Sequence, residues 1–234
     1  MTGKLYLVPA PISQADIAWV LPAAVQQCVA EISHFIVEHP KTARQFLKRL
    51  DCTCPLQELN IQILNEHTRA NDFLALLDPL LAGHDVGLLS EAGCPAVADP
   101  GAELIRLAHK NNIPVVPLVG PSSILLALMA SGLNGQRFAF HGYLPVESAA
   151  RASKIAELER ISIHLKQTQI FIETPYRNQK LLEQLVKVCK DNTDLCVATD
   201  LTFSREMIAT KSIREWRRAL PDVNKIPAIF LLQG

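Results

Sequence analysis

Residues 88–104, LLSEAGCPAVADPGAEL, place Ser90, Glu91 and Asp99 among two glycines and two prolines directly after an apolar run. Small residues at a strand end permit close backbone approach, and a carboxylate there can bind ribose hydroxyls or a cation. A solvated turn is the competing reading of Ser90, Glu91, Ala92 and Gly93. Asp99 precedes Pro100, so its carboxylate is expected to cap the free amides of a helix over 101–112.

Three more turns have comparable chemistry. In VPAPIS (8–13), Pro9 and Pro11 stiffen the chain and withhold N–H donors, leaving carbonyls for a ligand. In VGPSS (119–123), Ser122 and Ser123 can offer hydroxyls beside helix amides. In FIETPYR (171–177), Glu173 ends a strand and is followed by Thr174, Pro175, Tyr176 and Arg177. Other chemistries lack their residues. No HExxH or other tight ligand pair occurs among the seven histidines, no GxGxxG follows the first strand, and neither a P-loop nor GxSxG is present. Cys28, Cys52, Cys54, Cys94, Cys189 and Cys196 are scattered, which fits reduced thiols in a cytoplasm better than a disulfide framework.

Elements must hold these turns. Short apolar runs predict strands at 4–8, 29–37, 61–64, 85–89, 113–119, 137–144, 168–174, 194–200, 206–210 and 227–234. Helical patterns fall at 41–50, 69–82, 101–112, 149–166 and 178–190. Alternation of the two is the mark of an α/β chain, with a parallel sheet wrapped by helices in the first half. The expected division is 1–118 and 119–234, two closely apposed α/β domains whose cleft is the default ligand site. Leu5, Leu7, Val86, Leu88, Val115, Val116, Phe171, Phe230 and Leu232 are the predicted sheet core.

With 234 residues, 49% of them hydrophobic, the chain can bury a substantial core. Lys plus Arg (23) balances Asp plus Glu (23), so no bulk positive field draws it to nucleic acid or anionic lipid. No apolar run approaches the ~18 residues of a membrane span, and the N-terminal residues lack a secretory core; a soluble protein that is not exported is expected.

Taken in order, the turns VPAPISQ, SEAGCPAVADPG, VVPLVGPSS and FIETPYR and the closing PAIFLLQG resemble the SAM-dependent methyltransferases of the tetrapyrrole methylase superfamily. Within it they are most similar to the bacterial enzymes that methylate a ribose 2′-hydroxyl of small-subunit ribosomal RNA. The resemblance implies two α/β domains with S-adenosyl-L-methionine (SAM) in the interdomain cleft, a homodimer and no metal. It also implies cofactor contacts from Pro11, Ser90, Glu91, Ala92, Gly93, Cys94, Pro95, Ser122, Ser123, Ile172, Glu173, Pro227 and Ala228. Two departures stand out: VEHPKTAR (37–44) replaces an AEDTR-like stretch, and Glu91 stands where the pattern has Asp.

A hydroxyl acceptor needs a base, for which Glu38, Glu173 and Glu206 are candidates. An RNA acceptor needs cations and contact groups, for which Arg44, Tyr176, Arg177, Arg205 and the run KSIREWRR (211–218) are candidates; that run also reads as an amphipathic helix with a solvated face. Three functions stay open: a methyltransferase acting on RNA, one acting on a small molecule or protein, and a non-catalytic SAM-binding protein.

Overall fold

The computed structural model describes residues 1–65, 67–69 and 72–234, and the chain divides into two units, Met1–Ser122 and Ser123–Gly234. The first unit runs β1 (Leu5–Val8), α1 (Ile17–Val20), α2 (Ala23–Ala30), β2 (His34–Val37), α3 (Pro40–Leu47), β3 (Asn60–Ile63), α4 (Asp72–Ala75), α5 (Asp78–Leu81), β4 (Val86–Leu89), α6 (Ala102–Lys110) and β5 (Val115–Pro117). Its five strands are all parallel, in the order β3-β2-β4-β1-β5.

Side chains on a strand alternate between faces, and here both faces are covered. Leu5, Ile36, Val86 and Leu88 pack with Leu104 and Ala108 of α6, whereas Val8, Phe35, Val37 and Leu89 pack with Val29 of α2 and Phe46 of α3. Gly87 lies under Phe35, where a Cβ would stand 2.8 Å from the ring.

The second unit runs α7 (Ser123–Ser131), β6 (Phe138–Tyr143), α8 (Ser148–Leu165), β7 (Thr168–Ile172), α9 (Asn178–Val188), β8 (Asp194–Thr199), β9 (Met207–Ser212), α10 (Ile213–Trp216) and β10 (Ala228–Gln233). Its order is β6-β7-β10-β8-β9, with only β6 and β7 parallel. One face buries Phe171 and Phe230, their rings stacked at 6.1 Å, against Ile155 and Leu158 of α8 and Leu181, Leu182 and Leu185 of α9. Helix α7 packs on β9 and β10.

Every predicted strand is present, with four corrections to its surroundings. The run 29–37 is strand only from His34, because Val29 and Ala30 close α2, and α1 and α2 had no predicted counterpart. The helix expected over 69–82 is two single turns, α4 and α5, with Pro79 in the first turn of α5; positions 70 and 71 lie outside the described residues. The run 211–218 is no amphipathic helix: Lys211 and Ser212 belong to β9, and α10 is one turn closed by a Ser212–Glu215 capping box. Leu7, Val115 and Val116 are only half-buried, the latter two because β5 is an edge strand. Phe171, Phe230, Leu232, Leu5, Val86 and Leu88 are buried as expected. No described helix is long and apolar enough to cross a membrane.

Candidate active site

Strands β1, β4 and β5 are neighbours, so the loops that leave them emerge at one sheet edge, the edge where open α/β sheets bind ligands. The first two loops are tied by a reciprocal pair of hydrogen bonds: Ala10 N donates to Gly93 O and Gly93 N to Ala10 O, both at 2.9 Å. Ser90, buried, turns its hydroxyl back to donate to the same Gly93 carbonyl at 2.7 Å. The third loop closes on the others. Cys94 Sγ donates to Pro121 O at 3.5 Å, and Gly120 lies so close to Pro9 that a Cβ would stand 2.2 Å from its ring. The small residues of these turns are therefore demanded by packing between loops. Gly93 also has φ +75°, and Ala96 and Ala98 hold left-handed conformations at φ 62° and 61°, which concentrates backbone strain in this turn.

Asp99 does not cap α6. The helix starts after Gly101, at φ 135°, with no side-chain cap, and two residues separate Asp99 from the first helical position. Its Oδ2 is buried and has no partner among the described residues. Burial, then the nearby carboxylates of Glu38 and Glu91, pushes the Asp99 carboxyl up to about 6. Three acids thus gather around the ends of β2 and β4. The ion-pair partner there among the described residues is His39, exposed, with Nδ1 3.7 Å from Glu91 Oε1.

Next to these loops is a cavity of about 300 Å³ lined by Ala10, Pro11, Leu89, Ser90 and Glu91, by Ser13 and Gln14, and by Thr42, Ala43, Gln45, Phe46 and Arg49. Thr42, Gln45, Phe46 and Arg49 follow the i, i+3, i+4, i+7 spacing of one helix face. That spacing is the sequence signal for this side of the cavity. Arg44 points elsewhere and is exposed, and Ala92 is exposed while Pro95 is buried.

The second unit treats its strand-end carboxylate differently. Glu173, after β7, has a fully buried side chain whose Oε1 accepts from Arg177 Nη2 at 2.6 Å and from Thr174 N at 2.7 Å. Asn178, fully buried, donates to Ile226 O at 2.6 Å, Lys225 N donates to Pro175 O, and Asp200 N donates to Pro227 O. These bonds bind the turns after β7 and β8 to the segment entering β10, where Pro227 is exposed and Ala228 half-buried, as is Ile172. Glu173 Oε2, Arg177 Nε and Asn178 Oδ1 are buried without partners among the described residues. Tyr176 is exposed. Arg205 lies over the Phe203 ring and 3.5 Å from Asp200. Glu206 is exposed and accepts from Thr202 N at 2.8 Å, holding a turn. In the run 211–218, Arg217 donates to Val186 O, Cys189 O and Asp191, while Arg218 is exposed.

No group of three or more described His, Cys, Asp or Glu residues is placed to hold a metal, and all six cysteines are free. A parallel sheet that sends three mutually pinned, small-residue loops to the carboxyl edge of adjacent strands defines an α/β enzyme built to hold a nucleotide-like ligand. The chain belongs to the family of tetrapyrrole (corrin/porphyrin) methylases, whose pattern matches residues 6–216. It is a methyltransferase, and SAM-dependent methylation is the family's reaction. Among its relatives, the "Ribosomal RNA small subunit methyltransferase I" of Vibrio cholerae is 31% identical over 212 residues, 90% of this chain and 69% of that one. The protein of the same name from Haemophilus influenzae is 30% identical over 240 residues, covering all of this chain and 80% of that one. The crystal structure of the methyltransferase CobJ superposes with a TM-score of 0.66 at 16% identity, covering 100% of this chain and 95% of that one, a likeness of fold.

The residues of the first unit fit SAM. Glu91 offers a carboxylate, Ser122 offers a hydroxyl, and the pinned loops offer backbone groups that no bulky side chain screens.

Proposed function

We propose that this protein transfers the methyl group of SAM to small-subunit ribosomal RNA, with a ribose 2′-hydroxyl as acceptor, and that Pro11, Ser90 to Pro95 and Ser122 hold the cosubstrate. The observation that carries this reading is the 30% identity, over the whole of this chain, to a small-subunit ribosomal RNA methyltransferase. The altered VEHPKTAR stretch is compatible with it, because it forms the entry to α3 and keeps Glu38 at the end of β2.

SAM brings a methyl already activated on sulfonium, so the protein's part is to orient the acceptor, exclude water and receive one proton. Of the three candidate bases, Glu173 is committed to Arg177 and Thr174, and Glu206 to a turn amide. Glu38, half-buried beside Asp99 and Glu91, is the carboxylate free for that proton. Arg44, Arg205 and Tyr176 are exposed and accessible to RNA, and a homodimer is the proposed assembly.

The deciding experiment incubates the protein with methyl-labelled SAM and, separately, small ribosomal subunits, tetrapyrrole precursors and total cell protein. Label in a 2′-O-methylnucleoside from the ribosomal RNA supports the reading. Label only in a tetrapyrrole or protein overturns it, and SAM binding by calorimetry with label in none of the three overturns it in favour of the non-catalytic SAM-binding alternative.

A further inference from the structure

The cavity shares Pro11, Ser90 and Glu91 with the proposed SAM contacts, but its side toward α3 belongs to none of them. Its apolar wall is Ala10, Pro11, Ala43, Leu89 and the buried Phe46 ring. The same cavity is lined by neutral groups that both donate and accept, the amides of Gln14 and Gln45 and the hydroxyl of Thr42. Arg49 is held at one side by donating to Ala15 O at 2.6 Å, so its planar guanidinium is fixed and only partly spent.

A lining that combines apolar side chains with two amides suits a planar heteroaromatic ring, whose face packs and whose edge presents alternating donors and acceptors. Unpaired nucleotides are recognised in this way, splayed from their neighbours and read along their edges by side-chain amides. Volume sets the size of the guest. About 300 Å³ is at the lower end of the ~300–1,000 Å³ of small-molecule pockets. A volume of that order matches a single base-sized ring system.

We infer that this cavity binds one unpaired nucleobase of the RNA acceptor, with Gln14 and Gln45 reading its edge and Phe46 forming its floor. The inference rests on the RNA reading above and makes α3 the element that selects the substrate nucleotide. The helix face Thr42, Gln45, Phe46 and Arg49 is its sequence signature. An enzyme that must reach a ribose hydroxyl gains by gripping the attached base, since the grip fixes the sugar's orientation.

The test measures fluorescence anisotropy of a labelled single-stranded RNA spanning the mapped acceptor nucleotide, with protein saturated in S-adenosylhomocysteine. Gln45→Trp fills the cavity and Gln14→Ala removes one edge contact; both positions are exposed, so neither substitution disturbs the core. The expected result is at least a tenfold loss of RNA affinity for Gln45→Trp and a three- to tenfold loss for Gln14→Ala. SAM affinity by calorimetry should stay within twofold of the parent. RNA affinity unchanged in both variants, with the parent still methylating ribosomal RNA, overturns the pocket and leaves the RNA reading intact. A parent that methylates a tetrapyrrole or a protein instead overturns both.

Discussion

Each sheet ends a buried strand in a carboxylate-bearing turn, and the two turns resolve the burial of charge in opposite ways. After β7, Glu173 is locked by Arg177 and the Thr174 amide, and the charge becomes part of the scaffold. After β4, Glu91 and Asp99 stand with Glu38 around a loop cluster whose ion-pair partner, among the described residues, is the exposed His39. Like charges gathered without cations cost stability, and a fold keeps such an arrangement where the groups have other work. The first turn is architecture, and under the proposed function the second is the one available for chemistry.

The largest effect that can test this contrast is in the core beneath the turn after β7. Phe171→Asp puts an unpaired charge against Phe230 and should abolish cooperative unfolding by circular dichroism. Next comes Arg177→Met, which strands a fully buried carboxylate and should cost about 2–3 kcal/mol in urea denaturation. Arg205→Ala, removing an exposed pair with Asp200, should cost less than ~0.5 kcal/mol. If Arg177→Met were as mild as Arg205→Ala, Glu173 would not be structural and the contrast would collapse.

Around β4 the sign should reverse. Burial and the neighbouring carboxylates raise Asp99 from 3.8 to about 6, so between about pH 4 and 6 the folded chain keeps a proton that the unfolded chain releases. Stability therefore falls as pH rises through that window, and the cost is complete above pH 6. Asp99→Asn should remove it. The variant should exceed the parent by about 1 kcal/mol at pH 7.5, allowing for solvent screening, with the gap closing below pH 4. A gap that persists unchanged at pH 3.5 would mean that the gain came from something other than charge.

The strands were legible because the buried runs are short, apolar and bounded by polar residues, as in DVGLL and TQIFIET. What misled was continuity across a turn: in VAEISHFIV the apolar residues of α2 run into those of β2 across Glu31, Ile32 and Ser33, the middle one itself apolar and buried. The four turns were legible as chemistry from residue type alone. Asp99 was misjudged because a carboxylate before Pro-Gly reads as a cap, whereas its real neighbours, Glu38 and Glu91, come from other points in the chain. The commitment of Glu173 to Arg177 was within reach, four residues apart along one turn, yet burial, the fact that gives the pair its weight, is a tertiary property.

The smallest expected effect concerns two adjacent arginines in the second unit. Arg217 is tied to Val186 O, Cys189 O and Asp191, so it closes the junction of α9, β8 and α10, while Arg218 is exposed. A sequence reading treats them as equal members of a basic run. The structure separates them: Arg217→Ala should lower stability by about 1–2 kcal/mol, because three acceptors lose a charged donor. Arg218→Ala should leave stability within ~0.5 kcal/mol. If the segment touches RNA, Arg218→Ala alone should make the log–log salt dependence of RNA binding shallower by about 0.7, the release expected for one phosphate contact on a single strand. An unchanged slope removes this run from the RNA surface and leaves recognition to the first unit, where the carboxylates and the cavity already lie together.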